Sequence, residues 1–229
     1  MKSPLLEQVM AERRLTGRPA SPGFAAGPLI TFVEGAAKRT ASGDPASEAA
    51  ALTAALTTAA AELAELAERS EGNAADILAF QIALVEDDAL AEPAFAAIAE
   101  GAAADAAWSA ALDAEIASYV AAEDEHFRAR AADFRDLRDR VLAALAGAQA
   151  DEPLPAGAIL AAHDLAPSRF LAIDWSGGGG ILLADGSPTS HLAMLARSRG
   201  VAMIVGLSCD PTTLAGEVLV DAEAGEAIL

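Results

Sequence analysis

Two hydrophobic periodicities divide the chain. Between residues 44 and 147 apolar positions recur at helical spacing: Leu52, Leu56, Leu63 and Leu66; then Ile77, Phe80, Leu84 and Val85; then Trp108, Leu112, Ile116 and Tyr119; then Phe127, Ala131, Phe134, Val141 and Leu145. Such stripes predict amphipathic helices. Four are expected, the second ending at the Glu86-Asp87-Asp88 run and Pro93, and short connections make hairpins or a bundle. Outside this region the apolar runs are short and continuous. Strands are predicted at 27–33, 158–162, 180–184, 202–205, 218–221 and 227–229, with helices at 167–173 and 189–198. Strands alternating with helices imply an α/β sheet. The strand at 27–33 must join strands after residue 157, so the α/β domain is discontinuous. The expected organisation is an N-terminal extension at 1–16, an α/β domain from 17–43 and 148–229, and an inserted all-α domain at 44–147. Leu5, Leu6, Val9 and Met10 in the extension suit a short amphipathic helix.

Composition sharpens this division. The 229 residues include 61 alanines, 40 of them between residues 46 and 150. Alanine has the best helix propensity and lets helices approach closely. Of the formal net charge of −19, residues 44–150 carry −15, from 21 acids and 6 bases. That balance excludes a nucleic-acid backbone and an anionic membrane surface as partners. No run of 18 uninterrupted apolar residues is present and the first 15 residues lack a signal-peptide core. A cytoplasmic protein is expected. One cysteine, Cys209, allows no internal disulfide, and no metal-ligand spacing occurs.

Three histidines exist: His126, His163 and His191. His191 has the most chemical context. A strand ending near Ala184 runs into Gly186-Ser187-Pro188-Thr189-Ser190-His191, where Ser187, Thr189 and Ser190 are candidate helix caps. The first turn of a helix offers N–H groups and partial positive charge to an anion. A neutral imidazole there is a nucleophile near pH 7. Phosphoryl capture is one reading of this arrangement, and a capping or exposed histidine is the other. Gly177–Gly180 lacks the Lys-Ser/Thr of a phosphate-binding loop and reads as a turn before a strand.

Residues 186–206, Gly-Ser-Pro-Thr-Ser-His-Leu-Ala-Met-Leu-Ala-Arg-Ser-Arg-Gly-Val-Ala-Met-Ile-Val-Gly, resemble the phosphohistidine signature of phosphoenolpyruvate-utilising enzymes. Ala20-Ser-Pro-Gly-Phe-Ala-Ala-Gly27, the Gln81–Leu90 stretch, Ala131-Ala-Asp-Phe-Arg-Asp136 and Asp164-Leu-Ala-Pro-Ser168 resemble, in order, motifs of the N-terminal half of enzyme I of the bacterial sugar phosphotransferase system. The resemblance spans about residues 18–229. It implies a swivelling-type α/β phosphohistidine domain with an inserted helical domain that docks the small phosphocarrier HPr.

By resemblance, His191 is the phosphorylated residue, through Nε2. Gly186, Thr189, Ser190, Ser168 and Arg197 support the phosphate or the imidazole. Glu86, Asp87, Asp88, Arg130 and Arg135 match carrier-docking positions. Phosphoenolpyruvate and Mg²⁺ belong to a separate C-terminal barrel, so no cofactor is expected in this chain, and a monomer is expected. The sequence departs from the family pattern at Ser187 and Pro188, at Ala166 (a threonine that orients the histidine), at Ala74 (a lysine) and at Gln81 (a histidine). Such domains also occur inside multi-domain fructose and dihydroxyacetone systems. Two rivals remain: a dikinase swivelling domain, against which the alanine-rich insert counts, and a docking module that no longer transfers phosphate.

Overall fold

The computed structural model describes residues 13–31, 39–122, 125–147 and 154–229. The chain divides into two compact units: Met1–Val33 with Leu154–Leu165 and Asp174–Leu229, and Glu34–Pro153 with Ala166–Ile173. The amphipathic segment expected around Leu5–Met10 lies outside the described residues, as do 148–153.

The first unit is built on one eight-stranded mixed sheet. In chain order its strands are β1 (Arg14–Thr16), β2 (Arg18–Ser21), β3 (Phe24–Thr31), β4 (Ile159–Ala162), β5 (Gly180–Leu183), β6 (Ala202–Val205), β7 (Glu217–Asp221) and β8 (Glu226–Ile228). Their spatial order is β1-β8-β7-β3-β4-β5-β6-β2. Strands β3 to β6 run parallel, with Leu29, Ile159, Gly180 and Ala202 in register. Every residue of β4, β5 and β6 is buried. This explains their unbroken apolar sequences, since parallel strands are covered on both faces. Antiparallel β7 alternates exposed and buried, as a strand with one wet face does. Ile159, Leu182, Ile204, Val218 and Val220 lie in one core cluster of this unit.

Two strands escape the sequence pattern. Arg14–Thr16, expected in an extension, pairs antiparallel with β8 and buries Leu15. Three residues with one apolar side chain carry no periodicity, and the partner comes from the other end of the chain. Strand β2 contains Pro19, which has no N–H to donate and is tolerated because β2 is an edge.

The second unit is helical: α1 (Pro45–Glu68), α2 (Asn73–Val85), α3 (Asp88–Ala99), α4 (Ala104–Val120), α5 (Glu125–Leu145) and α6 (Pro167–Ala172). Helix α1 packs on α2, α3, α4 and α5, while α4 packs on α3 and α5. Leu52, Leu63, Leu78, Trp108, Leu112 and Leu137 are almost completely buried. By length and composition α1 is apolar enough to cross a membrane, but that hydropathy comes largely from alanine.

Two expectations change here. Four helices were expected in the insert and five form, because Asp88 begins α3 instead of ending α2. Asp87 accepts from the Ala89 N–H at 2.9 Å, and acidic residues are favourable at a helix start. Pro93 lies inside α3, where an absent N–H costs about 3 kcal/mol and local reading places a break. Buried Ala91, Ala94 and Ile98 hold the helix together across it. Residues 167–172, assigned on sequence to the α/β domain, belong to the helical unit. Helix α6 packs on α1 and α5, and Phe170 is fully buried.

Helix α4 starts at Ala103, which has no capping side chain. Its need is met from a distance by Glu48 of α1. The buried Glu48 carboxylate accepts from the Ala104 N–H at 2.8 Å and from the Ser42 N–H and hydroxyl at 2.6 and 2.7 Å, and it pairs with Arg39. Arg39 first, then the Ala104 and Ser42 donors, hold the Glu48 pKa far below the ordinary carboxylate range. A depressed carboxylate stabilises the fold above its unfolded pKa and loses that contribution as pH falls toward the folded one. Glu48→Gln is therefore expected to lower stability by about 1–3 kcal/mol at pH 7. The gap to the wild type should narrow progressively below about pH 4.3. Denaturant melts followed by circular dichroism at pH 7, 4 and 3 check this.

Candidate functional site

The parallel strands end together, and the loops at their carboxyl edge gather the polar groups of the first unit. Open α/β sheets place ligand sites at such edges. His163 follows β4, Asp185 and Gly186 follow β5, and Gly206 follows β6. The Asp185 N–H donates to the His163 carbonyl at 2.8 Å, and the Leu207 N–H to the Leu183 carbonyl at 3.0 Å, so the edge is laced by backbone bonds. Gly186 has φ 96, a left-handed value that suits glycine and turns the chain off β5.

From Gly186 the chain makes a tight polar turn into α7 (His191–Arg199). Ser187 Oγ accepts from the Thr189 N–H at 3.2 Å and lies 2.9 Å from Thr189 Oγ1. Ser190 is the N-cap, with extended φ −66 and ψ 160, and its hydroxyl accepts from the Ala193 N–H at 3.2 Å. His191 is thus the first residue of the helix, half-buried, beside the Thr189 and Ser190 hydroxyls in sequence. The apolar face of α7, Leu192, Ala193, Leu195 and Ala196, is buried, which fixes the direction of its first turn. Gly200 closes the helix in the left-handed conformation, and Arg197 and Arg199 suit its negative end.

The expected supporting residues fall in both units. Gly186, Thr189, Ser190 and His191 share one loop and one helix start. Arg197 Nη1 donates to the Ala20 carbonyl at 2.6 Å and to the Pro188 carbonyl at 2.9 Å, tying the turn to β2. Ser168 belongs to α6. It is fully buried in the helical unit, where its hydroxyl donates to Asp136 Oδ1 at 2.6 Å and accepts from Arg140 Nη2 at 2.7 Å. Asp136 also accepts from the Ser168 N–H at 3.0 Å and from Gln81 Nε2 at 2.8 Å. Ser168 and Asp136 therefore start α6, whose N-cap Ala166 has no side-chain acceptor.

In the helical unit, Glu86, Asp87 and Asp88 are exposed at the α2–α3 junction, with Asp87 engaged as the α3 cap. Arg130 lies 4.2 Å over the Phe80 ring and 3.4 Å from Asp133 Oδ2, and Arg135 is exposed on α5. Gln81 is buried. The side chain of His126 lies outside the described residues.

Sequence reasoning missed two features of the sheet edge. Arg18 of β2 donates from Nη2 to the Gly186 carbonyl at 3.0 Å. His163 Nε2 lies 3.3 Å from Asp210 Oδ1, both exposed. The Thr212 hydroxyl and N–H, with His163 adding to them, hold the Asp210 carboxyl below its usual range. Only the topology brings either pair together. Among the described residues no group of three or more His, Cys, Asp or Glu can hold a metal ion.

Comparison with known proteins bears on this geometry. The family described as PEP-utilising enzyme, N-terminal, matches residues 16–130, half of the chain, and PEP-utilising enzyme, mobile domain, matches residues 154–225. The chain belongs to the PEP-utilising enzymes. A PEP-dependent phosphotransferase system protein of Escherichia coli is 28% identical over 93% of this chain and 31% of its own length. Multiphosphoryl transfer protein 2 of the same organism is 30% identical over 63% of the chain and 18% of its own. A PEP-protein phosphotransferase of Mycoplasma pneumoniae is 38% identical over 37% of the chain and 15% of its own. The chain thus spans under a third of these relatives. A solved N-terminal domain of Enzyme 1 - Nitrogen aligns with TM-score 0.65 at 26% identity, covering 93% of this chain and 92% of that one. A solution structure of enzyme I aligns with TM-score 0.68 at 26% identity, covering 93% and 91%. The chain shares the fold of these neighbours and has the expected architecture, an α/β domain with a helical subdomain.

Ser190 sets the start of α7, and its replacement reads that role directly. Ser190→Ala is expected to cost about 1 kcal/mol in urea denaturation, and Ser190→Asp, an equally good cap, to cost little.

Proposed function

We propose that His191 accepts a phosphoryl group and passes it on, as one station in a phosphoenolpyruvate-driven sugar phosphotransferase chain. The observation that carries this reading is the placement of His191. It is the first residue of a capped helix at the carboxyl edge of parallel strands, within the 154–225 match to the mobile domain of PEP-utilising enzymes. An imidazole nitrogen, Nε2 in this reading, attacks phosphorus in line. A P–N bond forms, and the bond from phosphorus to the donor breaks with its electron pair. Transfer onward reverses these events on the histidine of an HPr-type carrier. Little proton transfer is needed, so positioning and stabilisation of the phosphoryl oxygens carry the rate. The helix start and the Thr189 and Ser190 hydroxyls supply that stabilisation.

The carrier in this proposal docks on the helical unit. Residues 44–150 carry −15, a field that attracts a basic face and raises its on-rate. Glu86, Asp88 and Arg135 are exposed there, and Arg130 lies against Phe80. Phosphoenolpyruvate and Mg²⁺ are assigned to a separate C-terminal domain, and the protein to the cytoplasm. The match to a multiphosphoryl transfer protein supports a multi-domain setting as a second form of the same reading.

Label transfer from a phosphorylated HPr-type carrier tests this. The wild-type chain should acquire acid-labile, base-stable label, and His191→Ala should acquire none while still binding the carrier. Binding without label in the wild type would identify a docking module instead.

A further inference from the structure

Arg18 lies at the carboxyl edge of the sheet because β2 pairs antiparallel with β6, setting Arg18 beside Val205, the last residue of β6. Its guanidinium spans two loops. Nη2 donates to the carbonyl of Gly186, the first residue of the turn that leads to His191. On its other side, Nε lies over Gly206, whose φ of 70 and missing side chain leave room for it: a Cβ there would sit 3.3 Å from Nε. Arg197 makes the reciprocal tie, from α7 back to the carbonyls of Pro188 and of Ala20 in β2. The turn 186–190 is therefore tied to the same edge strand at Gly186 and at Pro188, by one arginine from the strand and one from the helix. A planar guanidinium holding a carbonyl loses little entropy per bond.

We infer that Arg18 is a positioning residue for phosphoryl transfer, holding the Gly186–Ser190 turn in the geometry that presents His191 and the Thr189 hydroxyl. This rests on the proposal that His191 is the acceptor. Arg18 acts through the Gly186 carbonyl and is not assigned to the phosphate itself.

Two measurements on the full chain, wild type, Arg18→Ala and Arg18→Lys, test it. The first is amide hydrogen exchange at Thr189 and Ser190, which needs no phosphoryl chemistry. Exchange should rise about tenfold in Arg18→Ala and return most of the way in Arg18→Lys, whose ammonium keeps one donor for the carbonyl. The second is rapid-quench transfer from phosphorylated carrier. The maximal rate should fall about tenfold or more in Arg18→Ala while the carrier concentration for half-saturation and the Tm stay near wild type, with recovery in Arg18→Lys. Unchanged exchange in Arg18→Ala, or a slow transfer that only follows a lowered Tm and is not rescued by lysine, would overturn the inference. If the wild type accepts no phosphate while the exchange pattern appears as expected, the acceptor role of His191 fails and the positioning of the turn stands.

Discussion

The first N–H groups of a helix have no partners inside it, and a buried start without an acceptor is expensive. In a chain of this composition that need is acute. Alanine occupies the N-cap of α4 and of α6, and neither Ala103 nor Ala166 can accept a hydrogen bond through its side chain. The helical unit meets the need with carboxylates from other helices, Glu48 for Ala104 and Asp136 for Ser168. Both acids are buried and heavily bonded, so they fix the positions of two helices as well as capping them. In the sheet unit α7 carries its own cap, Ser190, and the residue directly after it is His191. The same physical demand is met by distant acids in one unit and by an adjoining serine, next to His191, in the other.

Acidity divides along the same line. Most of the excess negative charge sits on 44–150, leaving the remainder, which holds His191, only slightly negative. Some acids in that segment are structural: Glu48, Asp133 and Asp136 are buried. Others, including Glu86 and Asp88, are exposed.

Much of this was legible in the sequence wherever the signal was local. The continuous runs at β4, β5 and β6 read as buried strands because parallel strands are apolar on both faces. The start of α7 was legible to within two residues, with Ser190 one of three candidate caps, because a cap and its helix adjoin in sequence. What was missed depends on distant partners. Nothing near Arg14–Thr16 announces the C-terminal strand it pairs with. Nothing near Ser168 announces Asp136, 32 residues away, whose carboxylate accepts from it at the start of a buried helix. Pro93 misled for the opposite reason: its local rule is sound, but tertiary burial of α3 outweighs it. Arg18 was invisible because its meaning comes from β2 lying beside β6.

The central claim is chemical and concerns one atom, the imidazole nitrogen of His191. It is tested most directly by two-dimensional ¹H–¹⁵N NMR of the histidine rings together with ³¹P NMR, on the chain equilibrated with phosphorylated carrier. The account predicts a single phosphoramidate resonance and a shift of the His191 ring signals to the Nε2-phosphorylated pattern, with His126 and His163 unmodified. Phosphorus on either of those rings, or on no histidine while the carrier is consumed, would contradict it.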